Sequence, residues 1–137
     1  MGFFFLLYTT IACLMMIVLI TVPLKMCFRR ERPTRVKSVY RYCNMRDRER
    51  GSRSMPSGDA NAAAFLTAMY GWLYGNPVPA IICIPMVSLG RVYVHCHWIG
   101  DTIIGSFLGL LISYYCFSPH YFGIISMPLF RAVFPHV

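Results

Sequence analysis

Apolar residues run almost without interruption from position 3 to position 24. That is long enough to cross a hydrocarbon core, which needs roughly 20 helical residues. After a long polar segment, three further apolar stretches follow at 59–75, 78–94 and 101–118, and no side chain between positions 60 and 90 or between 102 and 130 is charged. The expected fold class is all-α, an integral membrane helical bundle of about four transmembrane helices.

Punctuation residues set the boundaries. Ser57 to Asp59 supply a capping residue ahead of Ala62, Ala63, Ala64, Phe65 and Leu66, and Gly75-Asn76-Pro77 stops that helix near Tyr74. The third helix is expected from about Val78 to Tyr93; Pro79 is tolerated near its start, while Pro85 inside it predicts a kink. The fourth starts at Asp101 and closes at Ser118-Pro119. The second and third are short for full spans, which suits thinned bilayer or a covering of protein. The apolar tail, residues 119–137, contains Pro128 and Pro135 and suits the membrane interface or a partner's surface.

Composition agrees with this reading. The chain has 137 residues, room for a single membrane domain over 1–137, and is 57% hydrophobic but only 13% charged. Its net charge of +8 belongs to one loop, 25–56, where eleven of the thirteen basic residues lie. Most of them, Arg29, Arg30, Arg35, Lys37, Arg41, Arg46, Arg48, Arg50 and Arg53, read as topology determinants next to an apolar span. The loop could meet anionic headgroups, but apart from Phe28 beside the apolar span Tyr40 and Tyr42 are its only aromatics, so a nucleic-acid partner is not expected. The positive charges follow the first apolar run, which argues for a span and against a signal peptide. The six cysteines are dispersed and read as small core hydrophobes. His95-Cys96-His97 matches no common zinc spacing, so neither a metal nor another cofactor is expected.

The polar residues that remain fall into three groups. Lys25 is followed after six residues by Arg32-Pro33; Pro56-Ser57-Gly58-Asp59 makes a small-residue turn; Arg91 is followed by His97 and Asp101. Threading four spans brings all three groups to one side of the membrane. Arg91 and His97 are six apart and would lie on different faces of one helix, so a break is expected between Tyr93 and Trp98. His97 and Asp101 are four apart, where side chains meet on a helix. Cations, a helix N-terminus and a histidine beside a carboxylate together describe a phosphate-handling site.

The order and spacing resemble the type-2 phosphatidic acid phosphatase superfamily, which also includes glucose-6-phosphatase and the vanadium haloperoxidases. Its pattern is Lys-x6-Arg-Pro, Pro-Ser-Gly-His and Ser-Arg-x5-His-x3-Asp. Here the first motif is intact, Asp59 stands where the second has His, and Gly90 where the third has Ser. The resemblance implies two-step phosphoryl transfer, with His97 as nucleophile, Asp101 holding its other ring nitrogen, and Lys25, Arg32, Arg91, Ser57 and Gly58 binding phosphate. It also implies a six-helix core with two helices ahead of the first motif, where one fits here, so the chain reads as a truncated form.

Asp59 separates two expectations. The family's histidine at that position protonates the leaving alkoxide, and nearby cations would hold an aspartate ionised and without a proton to give. One expectation is an enzyme acting on lipid phosphate or, more readily, diphosphate esters, whose phosphate leaving group needs no acid. The other is an inactive phosphatase fold in which Asp59 pairs with Arg32, Arg91 or Lys25 and the chain serves as a structural or lipid-binding subunit. Membrane lipids are expected partners in both, with other membrane subunits in the second. The basic loop predicts the cytosolic or matrix side by the positive-inside tendency, and the endoplasmic reticulum and the mitochondrial inner membrane both stay open.

Overall fold

The computed structural model describes residues 7, 10–13, 15–33 and 53–117. The start of the first span, most of the basic loop and the tail lie outside the described residues. Four helices account for the regular structure: α1 (Thr10–Phe28), α2 (Gly58–Tyr74), α3 (Val78–Tyr93) and α4 (Ile99–Phe117), with no strand among the described residues. The protein is all-α. α1 and α4 are long and apolar enough to cross a membrane, and α3 is a shorter apolar helix.

α1 runs past the expected end at residue 24, so Lys25 lies in its last turn and not in the loop. Pro23 does not stop it. A proline lacks the N–H of the helical ladder and its ring crowds the carbonyl four residues back, here Leu19. The chain widens into a π turn over Ile17–Thr21, which accommodates the proline and lets Val22–Phe28 continue as α-helix. Arg29, at φ 48°, ends it in the left-handed conformation, with its N–H donating to the Lys25 carbonyl.

The remaining boundaries fall within two residues of those read from the sequence. Ser57 caps α2, its hydroxyl accepting the Ala60 N–H at 3.4 Å, and Gly75, at φ 67°, closes it. The Asn76 side chain accepts from the Val78 N–H at 3.0 Å and starts α3, which is continuous through Pro85. A break after Tyr93 separates α3 from α4: the Arg91 carbonyl accepts from both Cys96 N–H and His97 N–H, coiling residues 94–97 back on the helix end.

Burial is inverted relative to a water-soluble bundle. Thr21, Ser54, Ser57, Asn61, Arg91, His97, Asp101, Thr102, Ser106 and Ser113 are buried, while Val18, Leu19, Ile81, Met86, Ile103 and Phe107 face outward. Apolar residues lose nothing by facing lipid, whereas polar ones need partners inside the bundle. Asn61 Nδ2 accordingly donates to Thr21 Oγ1 at 2.8 Å and joins α1 to α2. A small apolar cluster of Met16, Phe65, Met69 and Phe117 packs the middle, with Phe65 and Phe117 edge to face at 5.9 Å. Trp72, Tyr74, Tyr114 and Tyr115 are exposed at the end away from the Arg91 turn, where amphipathic rings suit the headgroup boundary.

α2 packs most extensively on α4 because two glycines let the backbones meet. A Cβ at Gly105 would overlap the Ser57 carbonyl oxygen, and one at Gly109 the Asn61 carbonyl oxygen. Gly90, in contrast, has open space beside it. Gly109→Ala is therefore expected to destabilise the bundle by about 1–3 kcal/mol, the usual range for overpacking. Gly90→Ala should be neutral or stabilising, helix propensity favouring alanine by up to about 1 kcal/mol. Denaturant titration in detergent, followed by circular dichroism, compares the two; equal stability would contradict the close α2–α4 contact.

Candidate active site

His97 sits at the end of the 94–97 turn with only 2% of its surface exposed. Its two ring nitrogens have different neighbours. Nδ1 lies 2.7 Å from the main-chain carbonyl of Ser54, which can only accept, so Nδ1 carries the hydrogen. Nε2 lies 3.3 Å from Arg32 Nη1, which can only donate, so Nε2 presents its lone pair. Both contacts require the same neutral tautomer. Arg32 is itself anchored by Nη1 donating to the Cys96 carbonyl at 2.6 Å and Nη2 to the Arg53 carbonyl at 3.4 Å.

Asp101, completely buried in the first turn of α4, has one carboxylate oxygen 3.7 Å from His97 Nδ1. That exceeds hydrogen-bond distance. The same oxygen, Oδ2, accepts the Trp98 N–H at 2.9 Å and so caps the start of α4. Its other oxygen pairs with Arg30 Nη1 at 3.1 Å. The Arg30 guanidinium also lies over the Trp98 ring, 5.6 Å from its centroid, while Trp98 Nε1 donates to the Glu31 carbonyl at 3.0 Å.

At the N-terminus of α2, the Ser57 N–H donates to the Asp101 carbonyl at 3.0 Å, joining the second motif to the third. Ser57 is fully buried and its hydroxyl caps the helix, so it supports the turn from beneath. The N–H groups of Gly58 and Asp59 have no acceptor among the described residues and head a helix of 17 residues, a favourable place for an anion. Asp59, half exposed, pairs with buried Arg91, Oδ2 to Nε at 2.9 Å. Lys25 lies half-buried in the last turn of α1. Among the described residues no three His, Cys, Asp or Glu side chains converge as metal ligands.

A sequence model of the PAP2 superfamily matches residues 4–123, across all four helices and the three motifs. The chain belongs to the PAP2 superfamily. No curated protein and no solved structure matches it. The PAP2 fold is a helical membrane fold, and membership points to phosphatase-type activity.

Against the PAP2 motif residues, the geometry joins Arg32 to His97, Arg91 to Asp59, and Ser57 to Asp101. Two features differ from the expected arrangement. Asp101 does not hold the His97 ring nitrogen by a hydrogen bond, and the Ser57 N–H is used inside the fold, leaving Gly58 and Asp59 to offer theirs. Two residues the motifs did not single out belong to the site. Arg30 sits in an Arg-Arg-Glu-Arg run whose spacing gives no sign that one member pairs with a buried carboxylate, and Ser54 acts through its main chain, which any residue could provide. Because the Asp59–Arg91 pair is partly solvated, its worth is that of an exposed ion pair, and Asp59→Asn should tighten inorganic phosphate binding about two- to fivefold. Calorimetric titration in detergent checks this; unchanged affinity would place Arg91 outside the anion site.

Proposed function

We propose that this PAP2 protein is a membrane phosphatase-type hydrolase cleaving lipid phosphate or diphosphate esters through a phosphohistidine on His97. The observation that carries the reading is the His97 tautomer, with Nδ1–H given to a carbonyl and the Nε2 lone pair beside a guanidinium. A nucleophilic histidine needs this state. An incoming phosphoryl oxygen would take over Arg32 as His97 releases it, with the α2 N-terminus and Arg91 receiving the other oxygens. Nε2 forms the bond to phosphorus as the ester oxygen departs with its electron pair. Asp101, 3.7 Å away, balances part of the positive charge that develops on the ring. Water then cleaves the N–P bond and returns neutral His97.

Asp59 limits the leaving group. Ionised and paired with Arg91, it has no proton to deliver to an alkoxide. A diphosphate ester releases a phosphate monoester, far less basic, and is the favoured substrate class. The same ion pair favours the second reading, an inactive subunit whose anion pocket is filled by its own carboxylate.

Phosphate release by the purified chain in detergent, from a lipid diphosphate and a lipid monophosphate, separates the two. Diphosphate cleavage is expected from the native chain and none from His97→Ala. Asp59→His should raise monophosphate cleavage by about 10²–10⁴, the usual range for a positioned general acid. No release from folded native chain or from Asp59→His would favour the inactive subunit.

A further inference from the structure

We propose that the main-chain carbonyl of Ser54, and not the carboxylate of Asp101, orients His97, and that Arg30 is a positioning residue that holds Asp101 away from the ring. The functional meaning rests on His97 being the nucleophile, as proposed above. Three observations carry the inference. The first is distance: His97 Nδ1 is 2.7 Å from the Ser54 carbonyl and 3.7 Å from Asp101. Only the former is a hydrogen bond.

Occupancy is the second. Asp101 Oδ1 is engaged by Arg30 and Oδ2 by the Trp98 N–H, so both oxygens already have strong donors. Turning toward Nδ1 would loosen a charge-assisted bond or uncap α4. Arg30 is itself fixed over the Trp98 ring, whose indole N–H is tied to Glu31.

The third is rigidity. The Ser54 N–H donates to the Arg30 carbonyl at 2.9 Å and its hydroxyl to the Glu31 carbonyl at 3.1 Å. Ser54 is fully buried. The segment bearing Arg30 and Glu31 therefore fixes both the acceptor that His97 uses and the cation that occupies Asp101. A carbonyl accepts a hydrogen bond and never the proton, so Nδ1 keeps its hydrogen and Nε2 its lone pair.

The test weakens the carbonyl without changing a side chain. Incorporating the α-hydroxy acid analogue of methionine at position 55 converts the Ser54–Met55 peptide into an ester, whose carbonyl is a poorer acceptor. The amide N–H lost with it donates to no described residue. Imidazole nitrogen resonances of His97, assigned by their loss in His97→Gln, are recorded on the full chain in detergent. The native chain should show one tautomer, protonated at Nδ1, and the ester a mixture of both. Asp101→Asn, whose amide oxygen still caps Trp98, should keep the native tautomer. Arg30→Met should free the carboxylate to approach Nδ1 and move its proton resonance downfield, a shift absent from the Arg30→Met/Asp101→Asn double variant. A tautomer lost in Asp101→Asn but kept in the ester would overturn the assignment to Ser54, and an unmoved resonance in Arg30→Met would overturn the role of Arg30. Phosphate release from the same samples is scored separately: an inactive native chain holding the Nδ1–H tautomer would reject the hydrolase reading while the positioning assignment stands.

Discussion

The close crossing of α2 and α4 is the constraint on which the site depends. Only glycine at 105 and 109 lets the α4 backbone reach the carbonyls of Ser57 and Asn61. That contact allows the Ser57 N–H to find the Asp101 carbonyl, so the N-termini of two helices meet at one point. Widely spaced helices would leave the Pro-Ser-Gly turn and the His-x3-Asp segment apart. In a bilayer, where helices gain little from burying apolar surface against one another, such backbone contact and the polar bonds it permits replace a large apolar core.

Electrostatics then divides the site in two. Each carboxylate of the last two motifs has an arginine, Asp101 with Arg30 on the buried side and Asp59 with Arg91 toward the opening. The first pair lies behind the histidine and fixes the helix start. The second lies at the exposed N-terminus of α2, where the Asp59 carboxylate occupies the Arg91 guanidinium. Arg32, bound to two main-chain carbonyls, is positioned by neutral acceptors beside Nε2 of His97. One substitution in a motif, aspartate for histidine, thus sets a carboxylate against Arg91 where the family pattern has an imidazole.

Helix positions were legible because their causes are local. Ser57, Gly75, Asn76 and Pro77 act within a turn of themselves, and uninterrupted apolar runs leave few alternatives to a span. The break after Tyr93 was also legible, since residues six apart cannot share a helix face. The first helix outran the end of the apolar stretch at residue 24, and the π turn at Ile17–Thr21 that carries it past Pro23 is an adjustment of the backbone with no residue signature of its own. The motif residues could be named from spacing, but their hydrogen-bond partners could not. Ser57 would have been given a phosphate contact, and Asp101 the ring of His97.

The sequence by itself determined an all-helical membrane protein, membership of the PAP2 superfamily, and the motif residues around His97, with an aspartate at position 59 where the family pattern has histidine. Those follow from local periodicity, capping and motif spacing, which act along the chain. Only the tertiary structure decided that Arg30 takes Asp101, that Asp59 takes Arg91, and that a carbonyl at Ser54 receives the histidine's hydrogen. The reason is that pairing of buried charges depends on distances between helices, and a main-chain acceptor has no side chain by which a sequence could announce it.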